Sequence, residues 1–143
     1  MNGVSPRLPH RTAQRASTPR TYVAVSPLGG RGVFAAEAMG RGAVVEVCPV
    51  IVVPAEAIDA LNRTTLADHW YGWGDDGDAA VALGHGSLYN HHADPVCTYD
   101  VHAELDALVV RTRRAVAAGT ELTIDYTGGG QNDLWFSPAD PGR

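Results

Sequence analysis

The chain has 143 residues, 45% of them hydrophobic, and a formal net charge of −5. That length suits one domain able to bury about two-thirds of its unfolded surface, and the apolar content argues against disorder. No run approaches the roughly 18 apolar residues of a membrane span, and the N-terminus lacks the apolar core of a secretory signal, so a cytoplasmic setting with no membrane partner is expected.

All eleven basic residues are Arg, with no Lys, and all sixteen acids lie between Glu37 and Asp140. Arg7, Arg11, Arg15 and Arg20 fall in the first twenty residues, and the remainder carries seven Arg against sixteen acids, a net of −9. An acidic body disfavours nucleic acid and favours a basic partner. Cys48 and Cys97 could form at most one bridge and neither sits in a CxxC pair, which excludes a disulfide scaffold or a four-sulfur zinc site; reduced thiols are expected.

Residues 1–20, rich in Pro, Ser, Thr and Arg, read as a disordered basic tail. Short strands then follow: Thr21 to Val25, and Gly32 to Ala35 after the Ser26–Gly30 turn. Ala43 to Val53 is a long apolar run in which Pro49 predicts an edge or a bend. Pro54 can open one short helix over Ala55 to Asn62. The aromatic stretch Leu66 to Trp73 and the strand Asp78 to Leu83 flank an Asp-Gly hairpin signal, and Val96 to His102, Ala107 to Thr112 and Glu121 to Tyr126 are further strands. Little alternation of strand and helix means a mainly β domain with no parallel sheet.

The stretch from Gly84 to Asp100, GHGSLYNHHADPVCTYD, organises the rest. Leu88, Tyr89, Val96 and Tyr99 ask for cover, while Asn90, His91 and His92 ask for polar partners, a combination neither a surface loop nor a plain core strand requires. Other signals fall away. Gly30-Arg31-Gly32 is followed by a strand rather than the helix of a dinucleotide site, Gly86-Ser87-Leu88 lacks the second glycine of a serine-hydrolase elbow, and the histidines have no HExxH spacing for a metal.

Three segments remain in order: GGRGVFA (Gly29 to Ala35), YNHHADP (Tyr89 to Pro95) with CTYD behind it, and AGTELTIDY (Ala118 to Tyr126). Together they resemble the SET domain, the family of protein lysine methyltransferases that use S-adenosylmethionine, over roughly Tyr22 to Tyr126. The flow from Trp70 to His92 is similar to compact bacterial and viral SET proteins without flanking zinc modules. The resemblance implies a β-clip fold of short strands with a knot-like C-terminal crossing. It divides the chain into the 1–20 tail, a SET domain over 21–127, and a closing segment over 128–143.

The same resemblance implies roles. Gly30, Arg31 and Gly32 would hold the cofactor, glycine letting the main chain approach a ligand closely. Asn90 and His91 match the pair at the crossing that contacts the cofactor. Trp135, beside Phe136, matches a closing aromatic near the adenine. Tyr126 matches the catalytic tyrosine, and Tyr99 a second tyrosine lining the lysine channel. His92 stands where many members have Ser, and Val96 where many have Asn. An attacking lysine must be neutral, and a narrow apolar channel beside a sulfonium lowers its pKa from near 10.4, so no dedicated base is required. Asp125 is then structural, and Glu121 supports the loop before the last strand.

The resulting expectation is methyl transfer from S-adenosylmethionine to a lysine of a basic protein; homodimer formation to complete the site stays open. The alternative is a catalytically inactive SET fold kept as a protein-interaction module. Without Lys, the chain cannot methylate its own lysine side chains.

Overall fold

The computed structural model describes residues 19–127. Among these, nine strands form: β1 (Thr21–Val25), β2 (Arg31–Ala35), β3 (Val44–Val53), β4 (Tyr71–Trp73), β5 (Asp78–Ala82), β6 (Asn90–His91), β7 (Cys97–His102), β8 (Ala107–Thr112) and β9 (Glu121–Ile124), all but β6 within the stretches expected to be strands or one residue beyond them. The expected helix splits into a 3₁₀ turn at Ala55–Ala57 and a single α-turn, α1 (Ile58–Leu61). Among the described residues no helix is long and apolar enough to cross a membrane.

Two sheets result, ordered β1-β2-β9-β6 and β4-β5-β3-β8-β7. β-branched and aromatic residues make the first hairpin, where Tyr22 faces Phe34 and their rings stack at 5.6 Å. The Asp-Gly signal joins β4 to β5 as an antiparallel hairpin, as its turn chemistry predicts.

Two expectations need correction. β3 is the central strand of its sheet, not an edge, although it contains Pro49. It pairs with β8 through Val44–Pro49 and with β5 through Val50–Val53, so the proline stands at the changeover. Its carbonyl still accepts the Leu83 N–H at 2.8 Å, and its missing donor falls where one ladder ends. Second, β6 pairs with β9 in parallel, Asn90 opposite Thr123 and His91 opposite Ile124. The β7–β8 hairpin, rather than a helix, makes the connection between them. This two-residue strand is too short for any periodicity to announce it.

One apolar cluster draws on both sheets: Val33, Leu122 and Ile124 from the first, Cys48, Leu108 and Val110 from the second, with Tyr89 among them. Leu108 and Leu122 are fully buried, and each such side chain contributes about 1.5–3 kcal/mol relative to exposure. The cluster clamps β9 and the chain around Asn90 against the larger sheet.

Candidate active site

The turn before β2 takes Gly29 and Gly30 into the left-handed region, with φ of 117° and 58°, closed by the Ser26 N–H donating to the Gly30 carbonyl at 3.0 Å. Around both glycines there is open space where a Cβ would stand, so their main chain is accessible to a ligand. Gly32 is different. A Cβ there would fall inside contact distance of Glu121 Oε1 and 3.0 Å from Asn90 Nδ2, so its cradle is filled by the protein's own side chains.

Glu121 holds that corner together. It accepts the Ser26 hydroxyl at 2.8 and 2.9 Å on its two oxygens, and the Asn90 amide at 2.9 Å. Asn90 Nδ2 also donates to the Arg31 carbonyl at 2.9 Å. The amide therefore spends both its protons on the protein, which leaves Oδ1 for other donors. Glu121 thus links β9 to the turn between β1 and β2 and to β6. The exposed Arg31 side chain forms no ion pair with the described residues.

Beside Asn90, His91 is buried, and its Nδ1 accepts the backbone N–H of Tyr126 at 3.0 Å. The rings of His91 and Tyr126 lie 5.4 Å apart. Asp125 Oδ1 is 3.7 Å from the same Nδ1. Because that nitrogen is occupied as an acceptor, the neutral imidazole carries its proton on Nε2 and the contact is not an ion pair. Burial holds the His91 pKa below its ordinary value; Asp125 pulls the other way but less. Asp125 meanwhile accepts the Thr127 N–H at 2.8 Å, in keeping with a structural role.

Tyr126 reaches into a cleft of roughly 530 Å³ whose walls include Asp68, Trp70, Tyr71, Tyr89 and Tyr99. Its hydroxyl donates to the Tyr89 carbonyl. Tyr71 meets Tyr99 edge to face at 5.0 Å and donates its hydroxyl to the Gly86 carbonyl at 2.6 Å. Burial raises the pKa of all four phenols, that of Tyr126 to about 12, with Asp68 and then Glu121 adding to the effect. They remain neutral hydrogen-bond donors at physiological pH. Tyr99 also lines a second cavity of roughly 470 Å³, with Pro95, Arg113 and Asp125.

Tyr99, Tyr126, Asn90, His91 and the Gly30–Gly32 turn thus form one continuous corner. Trp135 and Phe136 lie outside the described residues. Among the described residues, other histidines go to separate partners: His85 to Thr21 at 2.7 Å, His69 to the Ser87 carbonyl at 2.9 Å, and His102 to Glu104 at 3.2 Å. His92 Nδ1 accepts the Asp94 N–H at 3.0 Å, and Val96 packs into the core, so both departures from the family pattern are absorbed locally. Tyr71, Tyr89 and Asp68 are cleft residues that sequence reasoning did not assign; the only sign of them was the aromatic density around Trp70 and Leu88.

The chain is similar to known proteins of one family. The sequence pattern of the SET domain matches residues 30–127. The chain is 31% identical over 108 residues to a histone-lysine N-methyltransferase of Schizosaccharomyces pombe specific for H3 lysine-37, an alignment covering 75% of this chain and 70% of the relative. A crystal structure described as a candidate histone methyltransferase of Plasmodium falciparum superposes with a TM-score of 0.65 at 26% identity, covering 76% of this chain and 94% of the other.

Proposed function

The chain belongs to the SET domain family of protein-lysine methyltransferases, and from that premise we propose that it transfers the methyl group of S-adenosylmethionine to the side-chain amine of a lysine in a basic protein. The observation that carries the reading is the position of Tyr126. Its hydroxyl points into the aromatic cleft while its backbone is bonded to His91, the neighbour of the Asn90–Gly32 corner.

The residues present fit the cofactor. The Gly29–Gly30 turn offers main chain free of side chains, Asn90 keeps an acceptor oxygen, and the exposed Arg31 suits a carboxylate. When bound, S-adenosylmethionine supplies a methyl group on a sulfonium centre, open to in-line attack. Tyr126 and the Tyr89 carbonyl orient the incoming amine, which must approach as a neutral nucleophile. Tyr71, Tyr99 and Trp70 give an apolar wall that excludes water and disfavours the ammonium form, while their faces tolerate a cation. Asp68 is the opposing influence: exposed on the cleft wall, its carboxylate draws a positively charged lysine toward the site. Attraction acts on the charged side chain in solution and desolvation acts deeper, so the two operate in succession. The Tyr126 phenol does not serve as the base, because burial keeps it protonated.

Isothermal titration with S-adenosylmethionine, followed by methyl transfer to basic peptides such as histone H3 tails, tests this. Saturable binding that survives Tyr126→Phe, with transfer lowered on the order of 10²-fold in that variant, supports the enzyme. A well-folded wild-type protein that binds no cofactor would sink the reading and leave an interaction module in its place.

A further inference from the structure

A bulge in β3 turns one carboxylate toward the core. The β3–β8 register slips between Val44 and Glu46, after which Glu46 lies opposite Val110 and Cys48 opposite Leu108. Cross-strand partners share a face, and Val110 and Leu108 are fully buried, so Glu46 faces the same interior. A carboxylate in that position requires donors. Two come from the two ends of one turn: Oε2 accepts the His85 N–H at 2.9 Å and Oε1 accepts the Tyr89 hydroxyl at 2.9 Å, with the Cys48 thiol a further donor beside them.

The chain between those ends is pressed onto the carboxylate and its neighbour. At Gly84, where φ is +64°, a Cβ would stand 2.5 Å from Glu46 Oε2, and at Gly86 it would stand 2.9 Å from Cys48 Sγ. The same turn presents two carbonyls to the cleft: that of Gly86 takes the Tyr71 hydroxyl and that of Tyr89 takes the Tyr126 hydroxyl. Tyr89 is therefore held at its ring tip by Glu46 and holds Tyr126 by its backbone.

We propose that Glu46 is a positioning residue for the Tyr126 hydroxyl, acting by pinning both ends of the His85–Tyr89 turn and so fixing the carbonyl to which that hydroxyl donates. This rests on the reading of Tyr126 as catalytic. Glu46→Gln keeps an acceptor for one donor but sets an amide N–H against the other, while Tyr89→Phe removes the ring-tip bond and leaves the carbonyl in place.

In each variant kcat should fall about tenfold, as small misplacements of reacting groups do, with KM for peptide and cofactor within about twofold of wild type. In the double variant the two losses should fail to multiply, because both act through Tyr89. A second readout needs no activity: with tyrosine labelled by carbon-13 at the ring carbon bearing the hydroxyl, the Tyr126 resonance, assigned by Tyr126→Phe, should move in both variants. An unmoved resonance and unchanged kcat beside a lowered melting temperature would make Glu46 a purely structural residue and overturn the proposal. If Glu46→Gln does not fold, Tyr89→Phe carries both readouts alone. If the wild type transfers no methyl group, the methyltransferase reading fails, and the resonance still decides whether Glu46 positions Tyr126.

Discussion

The backbone N–H of Tyr126 donates to Nδ1 of His91 at 3.0 Å, so the charge state of one site residue is tied to the backbone of the other. Protonation of Nδ1 would set two donors against each other, and burial already lowers the His91 pKa below its ordinary 6.5. A pKa depressed in the folded state gives stability that is present above the unfolded value and lost as pH falls below it. The melting temperature should therefore decline below about pH 6.5, and more steeply in wild type than in His91→Asn. Methyl transfer should decline over the same range. Parallel slopes in the two proteins would remove His91 as the cause.

Tyr126 makes the opposite prediction at alkaline pH. Its phenol, raised from 10 to about 12 chiefly by burial, contributes stability that is complete below pH 10 and lost as the pH rises toward 12. In ultraviolet titration, the difference between wild type and Tyr126→Phe should show one late-ionising phenol. Asp68→Asn should bring its midpoint down, Asp68 being the second cause of the shift. Tyr126→Phe should lower kcat on the order of 10²-fold, since it leaves the cleft shape but removes the orienting hydroxyl.

Much of this was legible in the residues. β-branched runs and turn signals located most strands, and the GGRGVFA, YNHHADP and ELTIDY segments pointed to the corner where Gly32, Asn90 and Tyr126 come together. Pro49 misled because a proline rule assumes one partner along a strand, whereas β3 exchanges β8 for β5 at that residue. The parallel β6–β9 pairing left no trace, being only two residues long and joining segments 33 apart in sequence. Glu46 was also unreadable: its inward direction depends on a bulge, and nothing in an apolar run with one acid marks which residue is the extra one.

The thiols give a test of the core. Cys48 and Cys97 are fully buried, and burial raises both pKa values, that of Cys97 to about 12. Thiolate is the reactive form. At pH 8 a disulfide reagent such as dithionitrobenzoate should leave both unmodified in the native protein and titrate two equivalents in denaturant. Rapid labelling of the native protein would mean that the sheet-to-sheet core opens locally.

The corner around Gly32 offers the sharpest test of local geometry. A methyl group there meets the Glu121 carboxylate and the Asn90 amide, so Gly32→Ala should cost ~1–3 kcal/mol of stability in urea unfolding, the usual range for overpacking a filled site. Glu121→Ala should itself destabilise, because it strips acceptors from Ser26 and Asn90. The two effects should not add. With Glu121 shortened the nearest obstacle is gone, and the cost of Gly32→Ala in that background should shrink to less than half. An unchanged cost would mean that the backbone, rather than Glu121, sets the requirement for glycine at this position.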